Sequence, residues 1–102
     1  MESRCNWNGH ILQINSPSVA WGSAPGIYIF CGKNKSEKWV ALYIGQASSF
    51  SERLNKHERW QEAKDLGATH IHTIVITDQT SRDHIEQDLI SQYQPCLNTN
   101  LK

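Results

Sequence analysis

Three side chains in this sequence have the types and spacing for chemistry on a charged substrate. Arg53 and His57 stand four residues apart, so on one helix they share a face. Arginine offers planar, permanently charged donors suited to phosphate oxygens, and histidine exchanges a proton near neutral pH. Taken alone, the pair reads first as an Arg beside a His on a solvated surface. Glu86 follows Ile85 and precedes Ile90 by four, which puts it at the border of an apolar helix face. A carboxylate there must be paired, hydrogen-bonded or bound to a metal, and a boundary Glu with a hydrogen-bond partner is the plainer reading. A hard divalent cation takes one or two carboxylates and completes its shell with water and phosphate, so a single Glu suffices.

Weaker signals accompany these. Gly45 ends an apolar run, and Gln46 to Ser49 lead into a helical one, whose first N–H groups could hold a phosphate. Gln46, Ser48, Ser49 and Lys56 are therefore candidate substrate contacts. His70 and His72 alternate on one strand face, a possible zinc geometry without a third ligand at suitable spacing. No nucleophile elbow, Walker loop or dinucleotide fingerprint is present.

These residues need elements to position them. The runs 26–31 and 39–45 are rich in β-branched and aromatic residues and read as two strands, joined by a polar turn over 32–38. Alternation puts Ile27 and Ile29 on one face, with Tyr28 and Phe30 on the other; likewise Leu42 and Ile44 oppose Tyr43. Tyr28 and Tyr43 then look out of the same face. A third strand is expected over 70–77, and a short extra one over 10–14. Ser49 with Glu52 forms a capping-box pattern that opens a helix over about 50–66, stopped by Gly67. A second helix begins near Ser81 with Ile85, Leu89 and Tyr93 on one face, and Pro95 ends it. The order is β-β-α-β-α, a small α+β layer.

The combination is more specific than its parts. Gly26-Ile27-Tyr28, then Tyr43-Ile44-Gly45, then Arg53 and His57, then Glu86, then Pro95-x-Leu97-Asn98 resembles the GIY-YIG nuclease family over residues 25–99. The resemblance implies an α+β fold with a three-stranded antiparallel sheet flanked by helices. It implies a divalent-metal-dependent endonuclease that hydrolyses DNA phosphodiester bonds to 5′-phosphate and 3′-hydroxyl ends, with Mg²⁺ or Mn²⁺ as cofactor. It assigns Tyr28 as general base or water-orienting group and Tyr43 to the nucleophile and phosphate. Arg53 stabilises phosphate charge, and His57 falls where members carry His or Tyr. Glu86 is the single metal-binding carboxylate, Gly45 allows close packing and Asn98 supports the site. These groups should line one open cleft. Tyrosine has a reference pKa of about 10, so lowering it by ~2 units for base work takes roughly 2.7 kcal/mol, for which Arg53 and the metal are the sources. Two departures stand out. Some members carry a base after the second motif, where this chain has Gln46, and fourteen residues separate Tyr28 from Tyr43, a longer hairpin than usual. An inactive nucleic-acid- or protein-binding adaptor on the same fold is the alternative.

Composition agrees with one packed domain over 1–102: of 102 residues, 38% are hydrophobic, and there are four Trp, three Tyr and two Phe. The four Trp are expected in the core. No apolar run approaches the ~20 residues of a membrane span, and the polar start lacks a secretory signal, so a cytoplasmic setting is expected. Cys5, Cys31 and Cys96 form no metal or disulfide pattern and read as reduced packing residues. Ten bases balance ten acids overall, yet residues 33–64 carry a net of +3 and residues 65–102 a net of −3. Net neutrality with no appended DNA-binding domain predicts weak binding to DNA alone, little sequence preference, or a separate targeting protein as partner.

Overall fold

The computed structural model describes residues 3–98. In chain order it forms β1 (Arg4–Trp7), β2 (His10–Asn15), β3 (Gly26–Lys33), β4 (Trp39–Ala47), α1 (Phe50–Leu54), α2 (Trp60–Asp65), β5 (His70–Val75), α3 (Gln79–Tyr93) and a closing 3-10 turn, Cys96–Asn98. The strands make one antiparallel sheet in the order β1-β2-β5-β3-β4. The α+β class holds, but the sheet has five strands where three were expected. The other two form an N-terminal hairpin, whose second strand, β2, is the short one expected over 10–14 and whose first, β1, was not expected. The hairpin turns on Asn8 and Gly9, both at positive φ (53° and 92°), the conformation of a two-residue β-hairpin loop. β2 then pairs with β5, extending the sheet away from β3 and β4.

The sheet separates two cores. On one face Trp7, Leu12, Ile27, Ile29, Cys31, Ala41 and Ile44 pack with Leu89 of α3. On the other, Tyr28, Phe30, Ala47 and Ile71 pack with Phe50, Leu54 and Ala63 of α1 and α2. Trp7 is buried, and Trp21, Trp39 and Trp60 pack against one core or the other, as expected of core residues. The alternation predicted for β3 holds throughout. In β4 it fails at Leu42, which joins Tyr43 on the Tyr28 face. Phe30 pairs with Tyr43 and Cys31 with Ala41, so Leu42 is the extra residue of a β-bulge, where alternation resets.

The helix expected over 50–66 is two short helices broken at 55–59. The expected cap is present, since the Ser49 hydroxyl accepts the Glu52 N–H. The break follows from His57, which turns inward and whose Nδ1 accepts the Arg59 N–H at 3.0 Å, removing that donor from a continuous helix ladder. Between Leu54 and Ala63 only Trp60 is apolar, too little to hold one helix on the sheet. α3 begins two residues earlier than expected, capped by the Asp78 carboxylate, which accepts from the Ser81 N–H and hydroxyl. Among the described residues no helix is long and apolar enough to cross a membrane.

Candidate active site

Tyr28 lies on β3 directly opposite Gly45 on β4. Paired residues share a face, so the phenol passes over Gly45 toward the sheet's β4 edge. The absence of a side chain at Gly45 makes this possible: a Cβ there would fall on the Tyr28 hydroxyl. Two further rings close around the phenol. Tyr43 stands 6.2 Å from it between centroids, and His57 meets both tyrosines edge-on at 5.4 and 5.3 Å. The Tyr28 hydroxyl and His57 Nε2 are hydrogen-bonded at 2.7 Å. Tyr28 is 1% exposed and His57 7%, while Tyr43 and Arg53 are half-buried. The groups therefore converge but do not line an open cleft, because the α1–α2 turn folds His57 over the phenol.

Arg53, in the last turn of α1, acts on the same hydroxyl and lowers its pKa. Its guanidinium also forms a two-armed ion pair with Glu58, at 2.8 and 3.0 Å. Burial, with Tyr43 second, pushes the Tyr28 phenol well above its usual range despite Arg53. Desolvation of the phenol here outweighs the one guanidinium beside it. Burial, helped by Arg53, pulls His57 down to about 4.

Glu86 reaches the same edge from the opposite side. Gln46, one residue past Gly45, alternates onto the α3 face opposite Ile27. Its Nε2 donates to Glu86 Oε1 at 2.7 Å and to Asp83 Oδ1 at 2.8 Å. The Glu86 charge acts on Tyr28, raising its pKa. Gln46 is thus engaged with α3. Of the other expected substrate contacts, Ser48 and Lys56 are exposed and Ser49 spends its hydroxyl on the α1 cap.

Asn98 performs a supporting task that the sequence alone did not specify. Its Nδ2 donates to the Ile44 carbonyl at 2.9 Å, and its Oδ1 accepts the Ile44 N–H at 2.8 Å. β4 is an edge strand, so this amide satisfies both outward backbone groups between Tyr43 and Gly45. Sequence reasoning passed over Glu58, Arg59, Arg82 and Asp83. Arg59 stacks its guanidinium over Tyr43 at 6.0 Å. Asp83 stands three residues before Glu86, a helical spacing that was legible. Glu58 gave no signal, because its pairing with Arg53 needs the helix break.

The two histidines on one face of β5 are engaged elsewhere, His70 Nδ1 with the Thr69 hydroxyl at 2.8 Å. His72 Nδ1 accepts the Trp7 Nε1–H at 3.0 Å inside the core. No group of three His, Cys, Asp or Glu among the described residues could hold a metal ion. Glu86, one carboxylate at an accessible edge, instead suits a hard cation that keeps water and takes phosphate oxygens.

No protein-family model matches the chain. It is similar to the GIY-YIG N-terminal endonuclease domain of UvrC from Thermotoga maritima, solved bound to magnesium as its catalytic divalent cation. That comparison gives 32% identity and a TM-score of 0.58 over 74% of this chain and 83% of that one. Among curated proteins it is 38% identical over 82 residues to UvrABC system protein C of Thermotoga maritima. It is 31% identical over 87 residues to the same protein of Chlamydia trachomatis. The matches take in 76% and 78% of this chain but only 14% of the length of each relative.

Proposed function

Because the chain belongs to the GIY-YIG endonuclease family, we propose that it is a divalent-metal-dependent endonuclease that hydrolyses DNA phosphodiester bonds, leaving 5′-phosphate and 3′-hydroxyl ends. The observation that carries this is the convergence of Tyr28, Tyr43, Arg53 and His57 on the edge strand whose Gln46 holds Glu86.

Glu86 is the residue that would hold Mg²⁺ or Mn²⁺, and the cation when bound supplies Lewis-acid stabilisation of the phosphate charge. Arg53 aims a permanent positive charge at the same phosphate and offsets the charge that builds as water attacks phosphorus. Tyr28 brings a buried hydroxyl to the site, its pKa raised by that burial. Its first task is to orient the attacking water or a phosphate oxygen by hydrogen bonding. Tyr43, held from outside by Arg59, is the half-buried neighbour that meets the nucleophile and phosphate. His57 holds the Tyr28 hydroxyl from behind. Ser48 and Lys56, both exposed beside α1, are the remaining candidate DNA contacts.

With zero net charge, the chain would hold DNA weakly and draw its target choice from a separate protein. A single domain over 1–102 and a cytoplasmic setting go with this reading. The test is nicking of supercoiled plasmid in Mg²⁺ or Mn²⁺, comparing the unmodified chain with Glu86→Ala and Tyr28→Phe. Metal-dependent nicking lost in both variants supports hydrolysis. No nicking, with DNA still retained, favours the adaptor. Equal nicking by all three marks a contaminant and removes the assignment.

A further inference from the structure

We infer that Gln46 is a positioning residue for the cation site, holding the Glu86 carboxylate through an amide that a buried arginine orients. This rests on the reading of Glu86 as cation ligand given above.

The orientation of the Gln46 amide is forced by its neighbours. Its oxygen accepts from Gln79 Nε2 at 2.8 Å and Arg82 Nε at 3.3 Å. Its nitrogen donates to Asp83 and Glu86. Turning the amide over would set N–H groups against a guanidinium and an oxygen against two carboxylates, so one orientation alone satisfies every partner. Arg82, 6% exposed, is itself fixed. It donates to the carbonyls of Ile76 and Thr77 at 3.0 and 3.1 Å and to Gln79 Oε1 at 2.7 Å. A rigid chain of donors thus runs from the β5–α3 junction through Arg82 and Gln46 to Glu86.

The consequence concerns which oxygen of Glu86 is available. Gln46 takes Oε1, and Glu86 makes no other hydrogen bond among the described residues. Oε2 is left as the oxygen for a cation, and the carboxylate is held in one rotamer before the cation arrives. Outer partners of metal ligands commonly control affinity in this way, by 10–100-fold on removal. A neutral amide does so without adding a positive charge that would compete with the cation. Asp83, held by the same amide and by Gln79 Nε2 at 2.9 Å, keeps a second negative charge beside the site.

The experiment measures Mn²⁺ binding to the intact chain by calorimetry without DNA, and plasmid nicking against Mg²⁺ concentration. It compares Gln46→Met, which keeps length and volume but loses the amide, with Gln79→Ala, which loosens the amide from its far side. Glu86→Gln is the control. Gln46→Met should bind Mn²⁺ about tenfold more weakly, need correspondingly more Mg²⁺ for half-maximal nicking, and recover most of its rate at high Mg²⁺. Gln79→Ala, at an exposed position, should shift both in the same direction by less, and decides alone if Gln46→Met does not fold. Unchanged Mn²⁺ affinity in the folded variants overturns the inference. So does a nicking defect that metal does not restore and that follows DNA concentration, which would make Gln46 a DNA contact. Absence of Mn²⁺ binding by the unmodified chain overturns the cation reading itself. Binding that persists in Glu86→Gln moves the cation elsewhere.

Discussion

The Tyr28 hydroxyl and His57 Nε2 stand 2.7 Å apart, and the far side of the imidazole fixes the direction of their bond. His57 Nδ1 accepts the Arg59 N–H and the ring is neutral above about pH 4, so its one proton sits on Nε2 and points at Tyr28. Tyr28 is the acceptor, and its own proton is left for a water or a phosphate oxygen. Tyr28→Phe removes both functions. Nicking should fall by roughly 10²–10⁴, the range of a lost acid–base group. The buried Nε2–H should lose its acceptor at a cost of about 1–3 kcal/mol. Nicking assays and thermal melting check the two separately; a variant as active as the unmodified chain would remove Tyr28 from the mechanism.

Burial holds His57 and His72 neutral down to about pH 4, with Arg53 and His70 respectively adding to it. The unfolded chain protonates both near its ordinary value of 6.5. Between those values the unfolded state carries more protons than the native state, so stability is fully present above 6.5 and is lost as pH falls toward 4. The full shift is worth about 3 kcal/mol for each ring. Glu58 titrates lower, at about 2, and its loss falls outside this window. Urea melts at about pH 7 and about pH 4.5 should show a large drop, and His72→Gln should shrink it by roughly half. A flat profile between those pH values contradicts the neutral assignment.

Much of the site was legible because its signals are local. The two tripeptides sit on strands whose composition announces them, and Tyr28 and Tyr43 share a face by alternation. Glu86 borders an apolar stripe that α3 does bury at Leu89. What was missed depends on pairing between distant segments or on chain breaks. Asn8-Gly9 is a strong hairpin signal, but its strands are short and polar, and β1 exists because β2 has β5 to pair with. The α1–α2 break, and with it the Arg53–Glu58 pair, follows from His57 finding Tyr28 from 29 positions away. The phenol's raised pKa follows from the same closure, which no spacing rule contains.

Asn98 ties the closing turn to Ile44 by both of its amide atoms. Asn98→Ala leaves two backbone groups of the buried Ile44 without their partner, a stability cost of about 1–3 kcal/mol, at about 4–8 °C in Tm per kcal/mol for a domain of this size. The effect on nicking should be larger than this suggests, on the order of 10-fold or more. Ile44 sits between Tyr43 and Gly45, and small displacements of positioned groups are costly in rate. Melting and nicking on the same preparation check this. A lowered Tm with unchanged nicking would confine Asn98 to stability.

Arg53 spends both arms of its guanidinium on Glu58, at 2.8 and 3.0 Å. A phosphate would take the same two donors in the same fork geometry. Glu58 is exposed and holds Arg53 across solvent, where such a pair contributes little to stability. Glu58→Gln should therefore leave folding stability nearly unchanged and strengthen duplex binding by about threefold, as Arg53 no longer exchanges one anion for another. Arg53→Lys keeps the charge but loses the fork, and should cut nicking by roughly 10²–10³. Fluorescence anisotropy with a labelled duplex measures the first effect and plasmid nicking the second. Weaker duplex binding by Glu58→Gln would reverse the assignment, because Glu58 would then be holding Arg53 in place for the phosphate and not competing with it.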